Sequence, residues 1–552
     1  MRFMSNFKAL LVGVNAKYIH TSLSVRTLCA YVNSPCVSYA EFNINEDAGA
    51  VCAELYNAQA DMVLFSCYIW NIEFILRVAR RLKSVAPDIK IIFGGPEVSY
   101  AAQKYMQENP FLDAVIRGEG EETLRRIIET ATLNHKGVTF RNGDNKIISR
   151  EDRQVISDLS KIPFPYTEED IEKNKNKLIY YETSRGCPFR CSYCLSSTDH
   201  NVRFRDLQLV FREFLFFIEH QVRIVKLTDR TFNANRRRTQ EMIRFLIDHA
   251  SKTTFHFEIA ADILDDETLA LLKMAPKGLF QLEIGVQSTN PKTLAAIDRK
   301  ADTQKIARVV KIVRSFGNMH THLDLIAGLP YEDFASFRQS FNDVFSMEPH
   351  VIQLGFLKLL HGTKIRKEET DAIFTAEPPY EVLQTKYISY AELLHLKQIE
   401  DMTEKYYNSG AFEQAVKYLL TFFDSTFDFF DSLAAFYQEN GFDKIGISRD
   451  RLYEILVDFA CGVSGVRMKE WIDLLLFDYL MHNKPRTPDW AAREPVTTER
   501  FDILTEKFIE DHLPQYCGMP VKQIIKRLHF ERFFYPERIL IFDRDYDRWI
   551  EC

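Results

Sequence analysis

The sequence predicts an α/β protein in three parts: a doubly wound parallel domain, a partial barrel of six βα units, and a mainly α-helical C-terminal domain. Three observations carry this. Short β-rich runs alternate with helical spacing in two separate regions, a stretch of prolines and charges without periodicity divides them, and from about residue 370 only helical spacing continues. The parts are drawn at 1–150, a linker at 151–177, 178–368 and 369–552.

In the first part FKALLVGV, CVSYAEF, MVLFSC, IKIIF and LDAVI read as strands, with stretches such as NIEFILRVARRLKSV as the helices between them. A doubly wound sheet binds its ligand beyond the carboxyl ends of its strands. Here those ends carry GVNAKYIH, SCYIWN, GGPE and RGEGEE, with Gly13, Gly94, Gly95, Gly118 and Gly120 among them. DLSKIPFPYTEEDIEKNKNK is the connector. In the second part KLIYYETS, RIVKLT, TFHFEIA, LFQLEIG, THLDLIA and VIQLGFL are the strands, and LQLVFREFLFFIEH and TQKIARVVKIVRSF are among the helices. Barrel enzymes work at the carboxyl ends of their strands, which singles out Asp229, Glu258, Glu283, Gln287, Asp324 and Lys358. In the third part AELLHLKQIEDMTEKYY, FEQAVKYLLTFFDSTFDFFDSLAAFYQ, RLYEILVDFACGV and MKEWIDLLLFDYLMH are amphipathic helices, expected to cover the barrel mouth or recruit a substrate.

The totals agree with a multidomain globular chain. Its 552 residues exceed one core, and 43 Phe and 24 Tyr are enough to line large apolar pockets. A net charge of −7 gives no overall footprint for nucleic acid. Arg236-Arg237-Arg238 reads as a solvated face at a helix start, and the aromatic, basic tail KQIIKRLHFERFFYPERILIFDRDYDRW is ambiguous between the two readings. No apolar stretch approaches the ~20 residues of a membrane span, and MRFMSNFKALLVGV lacks a signal-peptide pattern, so a cytoplasmic protein without a membrane partner is expected.

Ten cysteines are too sparse for a disulfide scaffold, and only Cys187, Cys191 and Cys194, in SRGCPFRCSYC, cluster. Thiolates suit zinc or an iron–sulfur cluster, and a zinc site would be completed by His200. The loop follows the first barrel strand, at the mouth where a barrel does its chemistry, whereas a zinc knuckle usually stands as its own small motif; this placement favours iron–sulfur.

C-x3-C-x2-C with an aromatic residue, Tyr193, before the last cysteine resembles the radical S-adenosylmethionine (SAM) superfamily, and most the branch that includes the anaerobic coproporphyrinogen dehydrogenases. The resemblance implies that the three cysteines hold a 4Fe-4S cluster in a TIM-type barrel. SAM would occupy the fourth iron and be cleaved to a 5'-deoxyadenosyl radical by an electron from a reductant such as flavodoxin or ferredoxin. Glu258 in FHFEIAAD, Gln287 in EIGVQS, Arg299 twelve residues beyond it and Asp324 in HLDLIAGLP match the positions that hold the ribose, amino and carboxylate parts of SAM. After the second strand Thr228-Asp229-Arg230-Thr231 replaces the usual glycine pair, with Asp229 and Thr231 left as the SAM contacts there.

A doubly wound domain before such a barrel resembles the cobalamin-binding class, with its Rossmann-like cobalamin domain. Ser66 and Tyr68 in FSCYIWN, and Gly94-Gly95 in FGGPE, match its later motifs, and the loop of Gly118 and Glu119 borders the corrin in related proteins. The family's D-x-H-x-x-G motif is absent. Asn15 and Lys17 stand where the aspartate and the cobalt-ligating histidine align, and His20 where glycine does. A protonated lysine has no lone pair, so no lower protein ligand on cobalt is expected.

The resemblance implies a cobalamin-dependent radical SAM enzyme, a C-methyltransferase that methylates a weakly activated carbon. The radical would abstract a substrate hydrogen, and methylcobalamin would supply the methyl. The alternatives are a rearrangement or cyclisation without methyl transfer, and a non-catalytic cobalamin- or metal-binding regulator.

Overall fold

The computed structural model describes residues 7–199, 201–368, 371–483, 486–497, 499–543, 545 and 548–551. The chain divides into two compact units, one of Met1–Ser340, Met347–Pro349 and Leu354–Leu393, the other of Phe341–Ser346, His350–Gln353 and Leu394–Cys552.

The first unit begins with a parallel sheet of β1 (Ala9–Asn15), β2 (Val37–Asn43), β3 (Met62–Ser66), β4 (Lys90–Gly94) and β5 (Ala114–Ile116), in the order β2-β1-β3-β4-β5. The order reverses at β1, so a switch-point crevice opens between the loops after β1 and β3. Both faces are covered, which is why these strands are nearly continuous apolar runs. Helices Ala48–Asn57 and Ile72–Val85 bury Val51, Leu55, Ile75 and Leu82 on one face, and Leu23–Val32 and Glu121–Thr130 bury Val25, Leu124 and Ile127 on the other. Two short strands that the sequence did not announce, β6 (Val138–Arg141) and β7 (Ile147–Ser149), extend the sheet antiparallel.

The connector is pinned at two points. Arg205 donates to the carbonyls of Leu159 (2.9 Å) and Ile162 (2.6 Å), and Arg26 to Asp170 (2.7 Å). Beyond it come β8 (Ile179–Tyr181), a ribbon of β9 (Ser184–Arg185) with β10 (Arg203–Phe204), then β11 (Ile224–Leu227), β12 (Thr254–Ile259), β13 (Phe280–Gln287), β14 (His320–Ala327) and β15 (Val351–Phe356). The barrel strands run β15-β14-β13-β12-β11-β8, the six-stranded open barrel that the sequence predicts. Along β13 and β14 every second residue is buried, and the intervening face carries Gln281, Glu283 and Gln287, and His320, His322 and Asp324. A closed barrel fills that face with packed apolar side chains; a polar one lines a cleft. A short pair, β16 (Ile373–Phe374) and β17 (Val382–Gln384), ends this unit's strands, and Lys358 forms a lone antiparallel bridge with Glu381 beside it.

The second unit is helical through Glu413–Leu419, Thr426–Glu439, Arg449–Gly462 and Met468–His482. Its core is aromatic, with Trp471 fully buried and its indole donating to Ala415 O at 3.0 Å. The tail is not helical: β18 (Leu528–Phe534), β19 (Glu537–Asp543) and β20 (Arg548–Glu551) form an antiparallel meander. Its arginines are met by acids, Arg538 by Glu551 at 3.0 Å and Arg532 by Glu499 and Glu537. Likewise Arg236 and Arg237 are exposed at a helix start and pair with Glu267 and Glu241. No helix among the described residues is long and apolar enough to cross a membrane.

Candidate functional site

The thiol loop lies between β9 and β10, at the carboxyl end of β8. Cys187 and Cys191 are buried and Cys194 is half-buried. Backbone bonds shape the loop: Cys187 N donates to Asp199 O (3.2 Å), Cys194 N to Cys191 O (3.1 Å) and Ser192 N to Ile297 O (2.9 Å). Gly186 has φ +93°, and a Cβ there would stand 2.5 Å from Asn201 O, so only glycine fits. Burial pushes the Cys187 thiol up, and Thr231, whose Oγ1 lies 3.4 Å from its sulfur, opposes that shift. Among the described residues no three His, Cys, Asp or Glu side chains converge as a single ion requires. His200, the fourth ligand of the zinc reading, lies outside the described residues. A cluster that gives each thiolate its own iron asks for no such convergence.

Across the loop stand the residues singled out for SAM. Gln287 ends β13 at φ +73°, beyond a bulge between Gly285 and Gln287, a backbone region that a side chain occupies only at a cost. Gly285 permits this, since a Cβ there would meet Gln287 Nε2 at 2.3 Å. The Arg299 guanidinium reaches Cys191 Sγ (3.5 Å) and donates to Gly285 O. Gln287 Oε1, Arg299 Nε and Asp324 Oδ1 are buried without a hydrogen-bond partner in the protein. Orphaned buried polar atoms are rare, and three in one cleft, an amide oxygen, a guanidinium N–H and a carboxylate, fit an amino-acid ligand with its ammonium and carboxylate.

The electrostatics of the cleft floor agree. Glu258 and Glu283 are register neighbours on β12 and β13. Although burial works the other way, His256 (2.9 Å) and Lys226 (2.8 Å) hold the Glu283 carboxyl down to about 2. Burial first, and then the charges of Glu283 and Glu258, push Asp324 well above the usual carboxylate range, and burial with Glu283 raises Glu258. Two buried carboxyls are thus raised despite nearby Arg230, Lys226 and Arg299, a setting that favours a ligand's cation. Lys226, His256 and His322 were not singled out in the sequence. They share strand parity with Glu258, Glu283 and Asp324, and that parity was the available signal.

The remaining residues singled out in the sequence have these partners. Asp229 does not face the cleft: its carboxylate accepts from Thr183 N (2.7 Å), Thr183 Oγ1 (2.5 Å) and Ser184 Oγ (2.6 Å), tying β11 to the start of the thiol loop. Thr231 donates to Arg230 O and lies against Cys187. Tyr193 is largely buried in the loop, and burial raises its phenol. Glu119 is taken up by Arg203 (2.7 Å), Arg185 (3.4 Å) and Ile156 N (2.7 Å), which hold its carboxyl below the usual range against its burial. Asn15 donates to His20 O (3.1 Å) and Glu41 (3.0 Å), and Ser66 is buried against Ser24 (2.8 Å).

What remains open at the carboxyl ends of β1, β3 and β4 is aromatic: Tyr18, Trp70 and Tyr100 are 73 %, 47 % and 49 % exposed. Tyr68 stacks on Trp70 at 4.3 Å. Gly95, at φ +107°, brings the loop after β4 so near β3 that a Cβ would meet Cys67 O at 2.6 Å. Gly118 is open at φ +70°. Lys17 is exposed, and His20 bonds Tyr180 OH at 2.7 Å. Burial, Lys17 and Lys226 lower the His20 pKa. Exposed aromatic side chains beside glycine loops fit a large flat ligand such as a corrin.

Residues 9–128 match the B12 binding domain family and residues 181–344 the radical SAM superfamily. The chain therefore carries a B12-binding domain followed by a radical SAM domain. Residues 368–539 match a family described as protein of unknown function DUF4080.

The chain is 26% identical over 311 residues to a 2-(S-pantetheinyl)-carbapenam-3-carboxylate methyltransferase of Streptantibioticus cattleyicolor, covering 52% of this chain and 45% of that one. It is 25% identical over 324 residues to the cobalamin-dependent radical SAM methyltransferase TokK of Streptomyces tokunonensis, covering 54% and 47%. It is 24% identical over 289 residues to an anaerobic magnesium-protoporphyrin IX monomethyl ester cyclase of Rubrivivax gelatinosus, covering 50% and 51%. The chain spans about half the length of these curated relatives. Among solved structures, the cobalamin-dependent radical enzyme OxsB shares the fold at a TM-score of 0.58 and 14% identity, with 82% of this chain and 79% of that one covered. TsrM of Kitasatospora setae does so at 0.56 and 14%, covering 67% and 76%.

Proposed function

We propose that the chain is a cobalamin-dependent radical SAM methyltransferase acting on a weakly activated carbon. The observation that carries this is the orphaned trio of Gln287, Arg299 and Asp324 facing a three-thiol loop at a barrel mouth. Two of the relatives named above are methyltransferases, which supports methyl transfer. When bound, the cluster and SAM supply a 5'-deoxyadenosyl radical and cobalamin supplies the methyl carrier.

The chain's own residues hold and orient. Cys187, Cys191 and Cys194 would hold the cluster. Arg299 would receive the SAM carboxylate, Asp324 and Gln287 the amino-acid ammonium, and Glu258 the ribose hydroxyls. The exposed aromatics Tyr18, Trp70 and Tyr100, with Gly94 and Gly95, would seat the corrin and exclude water from it. We place the domain boundaries at 150, 177 and 368, the electron source in a flavodoxin or ferredoxin, and the protein in the reducing cytoplasm.

Anaerobic purification with iron, sulfide and corrinoid analysis tests the cofactors, and incubation with SAM and dithionite tests the chemistry. The expected products are 5'-deoxyadenosine and S-adenosylhomocysteine, with one methyl of mass gained by the substrate. A chain that makes no 5'-deoxyadenosine refutes the radical reading. The cyclase relative favours a second reading, ring closure without methyl transfer, which leaves 5'-deoxyadenosine but no S-adenosylhomocysteine and no methyl gain.

A further inference from the structure

The thiol loop is closed at its base by the ribbon of β9 and β10, two residues a side, in which Arg185 and Arg203 are register partners. A hairpin that short is marginal alone, and like charges directly opposite one another weaken it further. Both guanidiniums are also largely buried, so the repulsion between them is poorly screened. The group that bridges them comes from the first domain. Glu119, in the loop after β5, places Oε1 2.7 Å from Arg203 Nη2 and 3.4 Å from Arg185 Nη1, and among the described residues it is the one carboxylate that meets both. Glu121 and Glu182 meet Arg185 alone, and Asp199 meets Arg203 alone. The second oxygen of Glu119 accepts from Ile156 N of the connector at 2.7 Å. Glu119 stands between Gly118, at φ +70°, and Gly120, so its own contacts rather than stiff neighbours fix that turn.

Resting on the reading that the thiols hold a cluster and that the loop of Gly118 borders a corrin, we propose that Glu119 is a positioning residue that couples the two cofactor sites. Two states differ. With Glu119 engaged, the facing guanidiniums are bridged and the ribbon keeps the thiol loop closed at its base. With Glu119 withdrawn, the arginines repel and the ribbon opens. A corrin packed on the loop of Gly118 favours the engaged state and so raises the affinity of the thiols for the cluster, and linkage requires the cluster to tighten the corrin by the same factor. Glu119 acts on iron without touching it, through the two arginines that flank the thiols.

The test uses the full chain with reconstituted cluster and hydroxocobalamin as the corrin. Iron loss to a chelator is timed with and without hydroxocobalamin, and hydroxocobalamin affinity is measured with and without the cluster, in the parent chain, Glu119→Gln, Arg203→Gln and the double variant. In the parent, hydroxocobalamin is expected to slow iron loss about tenfold, and the cluster to tighten hydroxocobalamin about tenfold. Glu119→Gln is expected to lose iron at one fast rate whether or not hydroxocobalamin is bound. The double variant should lose it no faster than Glu119→Gln, because one of the two facing charges is gone. Hydroxocobalamin that leaves iron loss unchanged in the parent, or slows it equally in Glu119→Gln, overturns the proposal, as do additive losses in the double variant. A parent chain that retains no iron or binds no hydroxocobalamin refutes the cofactor reading instead. Hydrogen exchange on the cofactor-free chain then decides the role of Glu119: faster exchange over residues 187–197 in Glu119→Gln supports the latch, and equal exchange overturns it.

Discussion

Asp229 provides the sharpest test of how the thiol loop is built. Its carboxylate is 1 % exposed and receives three hydrogen bonds, from Thr183 N, Thr183 Oγ1 and Ser184 Oγ at 2.7, 2.5 and 2.6 Å. Two of the three, from the hydroxyls, fall on Oδ2. Asp229→Asn preserves the oxygen facing Thr183 N but turns the other acceptor into an amide donor that faces two hydroxyls. A buried hydrogen bond to a charged group contributes about 1.5–3 kcal/mol, and the hydroxyls recover part of this by rotating to accept, so the net loss is about 3 kcal/mol. That loss falls on the two residues that lead into Gly186 and Cys187. At 1.4 kcal/mol per decade it lowers the population of the ligand-ready loop, and with it the apparent cluster affinity, roughly a hundredfold.

The assay is iron retained per chain during a timed chelator challenge after anaerobic reconstitution. Thr183→Val with Ser184→Ala removes the donors rather than the acceptor and is expected to show the same loss. If Asp229→Asn retains its iron like the parent chain and instead binds SAM more weakly, the carboxylate is a cofactor contact after all and the tether is refuted.

Glu121→Gln removes one of three carboxylates on Arg185, which it meets at 2.5 Å with both side chains largely buried; Glu182 (2.8 Å) and Glu119 (3.4 Å) keep the guanidinium paired, so the loss is about 1.5–3 kcal/mol, and a lower urea midpoint, little changed by added salt, is expected. Glu332 is fully buried and accepts from Ser340 at 2.9 Å, and burial lifts its carboxyl to about 7. Because the folded pKa lies above the unfolded one, stability is full below about pH 4.5 and falls as pH rises, with about 1.4 kcal/mol lost between pH 6 and 8. Glu332→Gln should flatten the urea midpoint over that interval relative to the parent, and parallel slopes would contradict the assignment. Tyr380→Phe deletes the hydroxyl that donates to buried Glu97 at 2.5 Å, leaving Tyr105 as its phenolic donor, and should cost about 1.5–3 kcal/mol in the same measurement.

Both sheets were legible in the sequence because parallel strands covered by helices are apolar runs with a clear alternation to helical spacing. The thiol loop stood out by its spacing and Gln287 and Asp324 by their strand ends, whereas Arg299 was named only through the family resemblance. Partnership was not. Position along a strand places Asp229 and Glu119 near the site, but only the fold reveals that their lone pairs are already filled, by Thr183 and Ser184 in one case and by Arg185 and Arg203 in the other. The floor residues Lys226, His256 and His322 were missed although they share strand parity with Glu258, Glu283 and Asp324, because in a barrel strand that parity equally describes a packed layer. The short β6 and β7 were below the length at which alternation is readable. In the tail, the alternation of LHFERFF and ERILIFD was outweighed by the count of arginines, whose acidic partners lie apart in sequence.

Several residues near the strand ends of the first domain bond outside it: Glu119 and Glu121 to Arg203 and Arg185 on the ribbon flanking the thiols, Glu97 to Tyr380, His20 to Tyr180, and Arg26 to Asp170 of the connector. Buried charge pairs contribute little net stability against well-packed apolar contacts, because desolvation offsets most of their attraction, but each tolerates few geometries. A chain selected for stability alone would have used leucines at these positions. Ion pairs and tyrosine–glutamate bonds at the loops after β1, β4 and β5 fix the register between the aromatic face and the thiol loop. The proposed function, in which two cofactors act in turn on one substrate atom, would require such a fixed register, since a displacement of about 1 Å at the reacting centre is enough to cost two decades in rate.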